Sequence, residues 1–299
     1  MILTDTHCHI HSSDYPLPVA EVEARAAENN VDYLICVGTD VADSELAVEF
    51  VQNRKNHWAS VGQHPHEAKY GVAPLVKLRA LLEAQAGEAK NGSEKPGHAK
   101  IVPSDASSTP FLVPPKTVGT QEGAERRRQG AGKIVAVGEC GLDYFYGHSS
   151  KEDQEKALRY QMELALEYDL PLIFHVRDAF DDFWPIFDSY PGLRGVLHSY
   201  TDNQINLNKA LERGLYVGVN GIMTFTKNDW QLEVARAIPL EKIVLETDAP
   251  FLTPAPIRGK VNEPANVMLT ARFMSELRHV SVEELANLTT TNARHLFSL

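Results

Sequence analysis

Short apolar runs recur along the chain, separated by longer stretches in which apolar residues return every three or four positions. The runs are Ile2-Leu3-Thr4-Asp5, Tyr33–Val37, Trp58–Val61, Ile134–Val137, Leu172–Phe174, Gly195–Leu197, Leu215–Val219 and Ile243–Leu245. Each is four or five residues long at most and rich in Val, Ile and Leu, which reads as a strand buried on both faces. Segments with helical period lie between most of them, among them 18–29, 42–55, 152–168 and 202–213. Two more, 263–278 and 281–296, end the chain, and Ser281 followed by Glu284 has the spacing of a helix-starting capping box. Eight strand–helix units in series predict an α/β fold of the (β/α)8 TIM-barrel type over residues 1–299. An open, doubly wound sheet is the alternative.

One stretch breaks the rhythm. Residues 86–132 are rich in Gly, Pro, Ser and charge, have few aromatics and follow no period. They read as a disordered insertion before the fourth strand, near the bottom of a barrel and away from its catalytic rim. The Arg126-Arg127-Arg128 triplet within it is read as a solvated charge cluster, with contact to a phosphate backbone as the other option.

Composition narrows the class. The chain has 299 residues, 43% of them hydrophobic, which is ample for a large core and usual for an α/β barrel. Mean hydropathy is -0.26, no run approaches a membrane span, and the N-terminus lacks a signal-peptide pattern. Cys8, Cys36 and Cys140 form no CxxC pair, consistent with reduced thiols and a cytoplasmic location. The formal net charge of -11 argues against tight, non-specific nucleic-acid binding over the whole surface, though it leaves room for a local basic cleft.

Ionisable residues gather where the apolar runs end. The first run leads into Asp5-Thr6-His7-Cys8-His9, and the fourth into Glu139. The fifth leads into His175 with Arg177 behind it, the sixth into His198, and the eighth into Glu246-Thr247-Asp248-Ala249-Pro250. In a parallel barrel these ends converge on one face. His7 and His9, two apart on a strand, point the same way, while Cys8 points to the opposite face and is not counted as a ligand. Taken singly, each has a plain structural explanation: a packed or surface histidine, a turn glutamate, or an aspartate capping the next helix. Four His, one Glu and one Asp together suffice for two divalent cations if one carboxylate bridges. The mixed nitrogen and oxygen set suits Zn²⁺, Mn²⁺, Fe²⁺ or Co²⁺ better than Mg²⁺.

These blocks resemble the TatD-type metal-dependent DNases of the amidohydrolase-like superfamily. The matching text is D-T-H-C-H at 5–9, V-G-Q-H-P-H at 61–66, V-G-E-C-G-L-D at 137–143, F-H-V-R at 174–177, L-H-S-Y at 197–200 and E-T-D-A-P-F-L-T-P at 246–254. It continues with R-G-K-V-N-E-P at 258–264. Residues 86–132 have no counterpart in the usual pattern. Ser199-Tyr200 stands where Cys-Phe is often found, a departure that touches no ligand. The resemblance implies that His7, His9 and Asp248 hold one metal, that Glu139 bridges, and that His175 and His198 complete the second site. The family accepts several metals, so Mg, Mn and Zn all stay open. His64 resembles a position lining the substrate cleft, with a polar turn at His64 and His66 as the other option. Arg177, Arg258 and Lys260 resemble phosphate contacts, the last two also explicable as a solvated loop.

The activity implied is 3′→5′ exonuclease action on single-stranded DNA, with RNA as an open further substrate. Asp248 and Glu139 would be the catalytic carboxylates, in a monomer without membrane attachment. Two alternatives are carried. One is an amidohydrolase or D-aminoacyl-tRNA deacylase using the same metal-activated water; Glu139 stands where many amidohydrolases carry a carboxylated lysine. The other is a non-catalytic binding module, which all six ligand-competent residues disfavour.

Overall fold

The computed structural model describes residues 1–91 and 132–299. Arg126–Arg128 and most of the insertion lie outside the described residues. Strand and helix alternate: β1 (Leu3–Cys8), α1 (Val19–Glu28), β2 (Val31–Val37), α2 (Val41–Val51), β3 (His57–Val61), α3 (Val76–Asn91), β4 (Ile134–Asp143), α4 (Lys151–Tyr168) and β5 (Leu172–Arg177). The series continues with α5 (Phe180–Asp188), β6 (Gly195–Leu197), α6 (Gln204–Glu212), β7 (Tyr216–Val219), α7 (Asp229–Ala237) and β8 (Ile243–Leu245). Two terminal helices follow, α8 (Val267–Arg278) and α9 (Val282–Phe297). Neighbouring strands pair in parallel in the order β1 to β8. The two ends of the sheet are joined just beyond β8. Asp248 N donates to His7 O (2.8 Å) and His9 N to Ala249 O (2.8 Å), and Cys8 and Ala249 form a parallel bridge. The doubly wound alternative is thereby set aside.

Two apolar layers hold this arrangement. Ile35, Val37, Val135, Ala136, Ile173, Val196 and Val244 pack together, joined by Ala293, Leu296 and Phe297 of α9. Because Trp58 and Tyr216, at the strand beginnings, pack on the same group, α9 closes the end of the barrel where the strands start. Outside the strands, each helix turns an apolar stripe inward: Ala157, Leu158, Gln161, Met162 and Ala165 of α4 are buried at i, i+1, i+4, i+5 and i+8. Helix starts follow local chemistry. Asp40, Ser150 and Ser281 side chains accept from the backbone N–H three residues on, the last from Glu284 as its spacing predicts.

Four boundaries differ from the sequence reading. Helix α3 runs on to Asn91, six residues into the expected insertion. β4 continues for ten residues to Asp143, so Glu139 stands inside a strand rather than at its end. β1 and β5 likewise extend to Cys8 and Arg177 and so contain His7 and His175. The glycines around Glu139 serve close approach between strands. A Cβ on Gly138 (φ +138°) would lie 2.6 Å from Ile173 O, and one on Gly141 (φ +153°) only 1.8 Å from His175 O. The β4–β5 register shifts between Val137 and Cys140, a bulge that turns Glu139 into the barrel mouth.

Among the described residues no helix is long and apolar enough to cross a membrane.

Gly141→Ala should destabilise the fold by about 2–4 kcal/mol or prevent soluble folding, because both the backbone angle and the space exclude a methyl group. Gly214→Ala has a positive φ of 75° at the end of α6 but open space around it, and should cost about 1 kcal/mol. Urea unfolding of the two variants checks this; equal losses would contradict it.

Candidate metal centre

The side chains that converge at the barrel mouth are set by strand alternation and by hydrogen bonds from the layer behind them. His7 and His9 of β1 point the same way, with their Nε2 atoms 3.1 Å apart. His7 Nε2 is also 3.3 Å from Glu139 Oε2 and 3.5 Å from Asp248 Oδ1, and His9 Nε2 is 3.4 Å from the same Asp248 oxygen. The other Glu139 oxygen, Oε1, faces three further imidazoles: His175 Nδ1 at 3.0 Å, His198 Nε2 at 3.5 Å and His64 Nε2 at 3.5 Å. His7 and His198 stack with ring centroids 3.8 Å apart. All six residues expected as ligands therefore meet in one place, and His64 joins them. Cys8 Sγ faces away and donates to Ile35 O (3.5 Å).

Behind this layer stand residues that the sequence reading did not assign. His175 Nε2 and His66 Nε2 lie 2.9 and 3.1 Å from Asp143 Oδ2. His198 Nδ1 lies 3.0 Å from Glu246 Oε1, which also accepts from Ser199 N (2.6 Å). His9 Nδ1 reaches Val37 O at 2.7 Å. Such partners fix the tautomer and orientation of each imidazole. The backbone at the rim is fixed in turn by α4. Gln154 accepts from Asp143 N (2.7 Å) and donates to Asp143 O (2.9 Å). Gln161 accepts from Gln63 N (2.7 Å) and donates to Gln63 O (3.0 Å), next to His64. Asp143 and Glu246 both lie within the blocks quoted above, so the available signal was their place in those blocks; nothing local marks Gln154 or Gln161.

The electrostatics follow from this packing. Burial alone would raise the Glu139 carboxyl, but the imidazoles of His198, His64 and His7 and the hydrogen bond from His175 hold it well below the usual range. Burial opposes ionisation of Asp248 as well, and His9, His198 and His7 prevail and keep it low. Burial disfavours a charged His198, yet Glu246 and Glu139 push it up to about 10. His9 and His175 rise for the same reason, against burial, through Asp248 and through Asp143 and Glu139. Burial dominates at His7, which is lowered, and at His64, which falls to about 4.

The donor set fits a divalent cation. Ligand atoms at about 2.0–2.2 Å from one ion at tetrahedral or octahedral angles lie about 2.8–3.6 Å from each other, and the separations above fall in that interval. Three overlapping groups have ligand atoms within 4.8 Å of one another: His7, His9 and Glu139; His7, His198 and Asp248; and His64, Glu139 and His175. The other expected substrate contacts lie outside the cluster. The Arg177 guanidinium lies 3.9 Å over the Phe145 ring and 4.8 Å over Tyr146. Arg258 lies 3.6 Å over Phe225 and donates to Thr253 O (3.1 Å). Lys260 is exposed, and among the described residues no hydrogen bond or ion pair links it or Arg258 to the cluster.

A parallel barrel with imidazoles and carboxylates converging at its mouth defines a metal-dependent hydrolase. The chain belongs to the TatD related DNase family, whose model matches residues 4–298. It is 30% identical over 300 residues to the uncharacterized metal-dependent hydrolase YabD of Bacillus subtilis, with 100% of both chains covered. It is also 30% identical over 308 residues to the 3′-5′ ssDNA/RNA exonuclease TatD of Citrobacter rodentium, covering 99% of this chain and 97% of that one. Its fold matches the crystal structure of YJJV, a TatD homologue from Escherichia coli, with a TM-score of 0.78 and 25% identity over 99% of this chain and 98% of that one.

Because neighbours hold His9, His175 and His198 protonated above the ordinary imidazole value, cation uptake must displace protons. Apparent affinity for Mn²⁺ should rise with pH from about 6.5 towards the His198 value of about 10, releasing more than one proton per chain. Calorimetry in buffers of different ionisation enthalpy measures the release, and a pH-independent affinity would contradict it. Asp143→Asn should lower metal affinity or turnover about 10–100-fold by freeing His175, with little change in thermal stability; an unaltered metal titration would exclude that positioning role.

Proposed function

We propose that this protein is a 3′→5′ exonuclease on single-stranded DNA that works with two divalent cations. The observation that carries the reading is the division of Glu139. Its Oε2 faces His7 and its Oε1 faces His175, His198 and His64, as suits a carboxylate shared between two ions. His7, His9 and Asp248 would hold one cation and His175 and His198 the other, with Glu139 between them. His64, on the Oε1 side, would face the second cation or the substrate beside it. The name of the Citrobacter relative supports the polarity and the single-stranded substrate.

Divalent cations held there would supply Lewis acidity at the phosphoryl oxygens and a lowered pKa for the attacking water. The chain's own groups do the rest. Asp248, kept ionised by His9, His198 and His7, accepts the water's proton at the edge of the cluster. Glu139 stays ionised and holds its surrounding imidazoles in register. His64, lowered to about 4 and so neutral at pH 7, offers an uncharged ring to the substrate side. Arg177 lies on the rim, where its guanidinium can pair with a phosphate. An exonuclease engages only a few nucleotides, so a net charge of -11 over the rest of the surface is compatible with the reading.

The test is turnover of 5′-labelled and 3′-labelled single-stranded oligonucleotides by metal-stripped protein refilled with Mg²⁺ or Mn²⁺. Stepwise loss from the 3′ end is expected, absent without metal and in His7→Ala/His9→Ala. Asp248→Asn should lose at least about 100-fold in kcat with its circular dichroism unchanged. Metal binding without any cleavage would overturn the reading and favour attack on a carbonyl, to be tried next on aminoacyl-tRNA.

A further inference from the structure

Large aromatic rings stand exposed on the same rim as the donor cluster. Phe145 is 57% exposed and Tyr146 52%, in the turn that follows β4, and Phe251, 61% exposed, lies just after β8. Exposed rings of this size carry a solvation cost that the Arg177 contact and, at Tyr146, stacking on His148 relieve only in part. The first set is tied to the cluster through the Asp143 carboxylate behind it, and the second through the backbone carbonyl of Asp248. Asp143 Oδ1 accepts from Phe145 N (2.9 Å) and Tyr146 N (3.0 Å), while its Oδ2 holds His175. Phe251 N donates to Asp248 O (2.8 Å), and its ring centroid is 6.5 Å from that of His9. In the strand order, β4 and β8 are half a barrel apart, so the two aromatic sites flank the cluster from opposite sides. Arg177 lies on the first of them with no carboxylate partner among the described residues, which leaves its charge free for an anion.

We propose that the Phe145–Tyr146 turn and Phe251 are two stacking platforms for unpaired bases, one on each side of the phosphate presented to the cluster, with Arg177 engaging the backbone beside the first. This rests on the nuclease reading of the site. Rings flanked by a cation suit a single strand, because every base has a face to stack and stacking requires the base to leave its partner. The preference for single strands then follows from the rim: a duplex end must open before its last bases reach the two platforms.

The experiment uses full-length Asp248→Asn protein in Mn²⁺, so that bound substrate persists, and oligonucleotides carrying 2-aminopurine or an abasic residue at each of the last four 3′ positions. Stacking should quench 2-aminopurine at two of these positions. Tyr146→Ala should remove the quench at one and Phe251→Ala at the other, each weakening binding about tenfold. An abasic residue at the affected position should abolish that loss, since the ring then has no base to meet. Quenching that survives both substitutions, or equal weakening of intact and abasic strands, would overturn the platforms even where wild-type protein degrades the strand. Ring-dependent quenching in a protein that shortens no oligonucleotide would leave the platforms standing and remove the exonuclease reading. Failure of every oligonucleotide to bind would overturn both.

Discussion

A buried carboxylate set among imidazoles is the constraint on which the rest of this molecule turns. Glu139 is almost fully enclosed, yet it is held ionised, because four histidines from three strand ends and one loop face it. Removing one such group from water is costly unless every lone pair finds a partner. Much of the architecture around it can be understood as supplying those partners. The bulge in β4 aims Glu139 into the mouth, and two glycines let that irregular strand pass against β5. The glutamines of α4 pin the backbone at Asp143 and Gln63, from which the next layer of histidine contacts is built.

The same arrangement shows how an acidic protein could act on a polyanion, as proposed. Attraction need not come from the surface as a whole, which carries a net charge of -11. On the proposed reading it would come from a centre that concentrates positive charge locally, as protons on His9, His175 and His198 or as cations in their place. With Arg177 and the exposed rings of the rim acting as proposed, recognition would be confined to the few nucleotides next to the centre.

Much of this was legible in the sequence because the signal lay in alternation and position. The eight apolar runs mark the eight strands, and His7 and His9 converge because two residues on a strand share a face. What misled was the end of the apolar run at Val137: Glu139 read as standing at the strand's end, or as a turn residue, whereas Gly138 and Gly141 permit a close strand–strand approach and β4 runs on to Asp143. Helix α3 was cut short because its last residues, Gly87 to Asn91, have the composition of the insertion and no apolar stripe. Asp143, Glu246, Gln154 and Gln161 escaped assignment because their roles depend on a neighbour 11 to 98 residues away, which no local pattern records. Arg258 and Lys260 resemble phosphate contacts or a solvated loop from their block alone; the structure stacks Arg258 on Phe225 and leaves Lys260 exposed.

The most direct measurement is the number of ions held per chain in wild-type protein and in Glu139→Gln, counted by mass spectrometry after saturation with Mn²⁺ and removal of the excess. If Glu139 is shared between two cations, the wild type holds two and the variant one or none, with the variant still folded. Two ions in the variant, or a wild type that never exceeds one, would contradict the shared carboxylate.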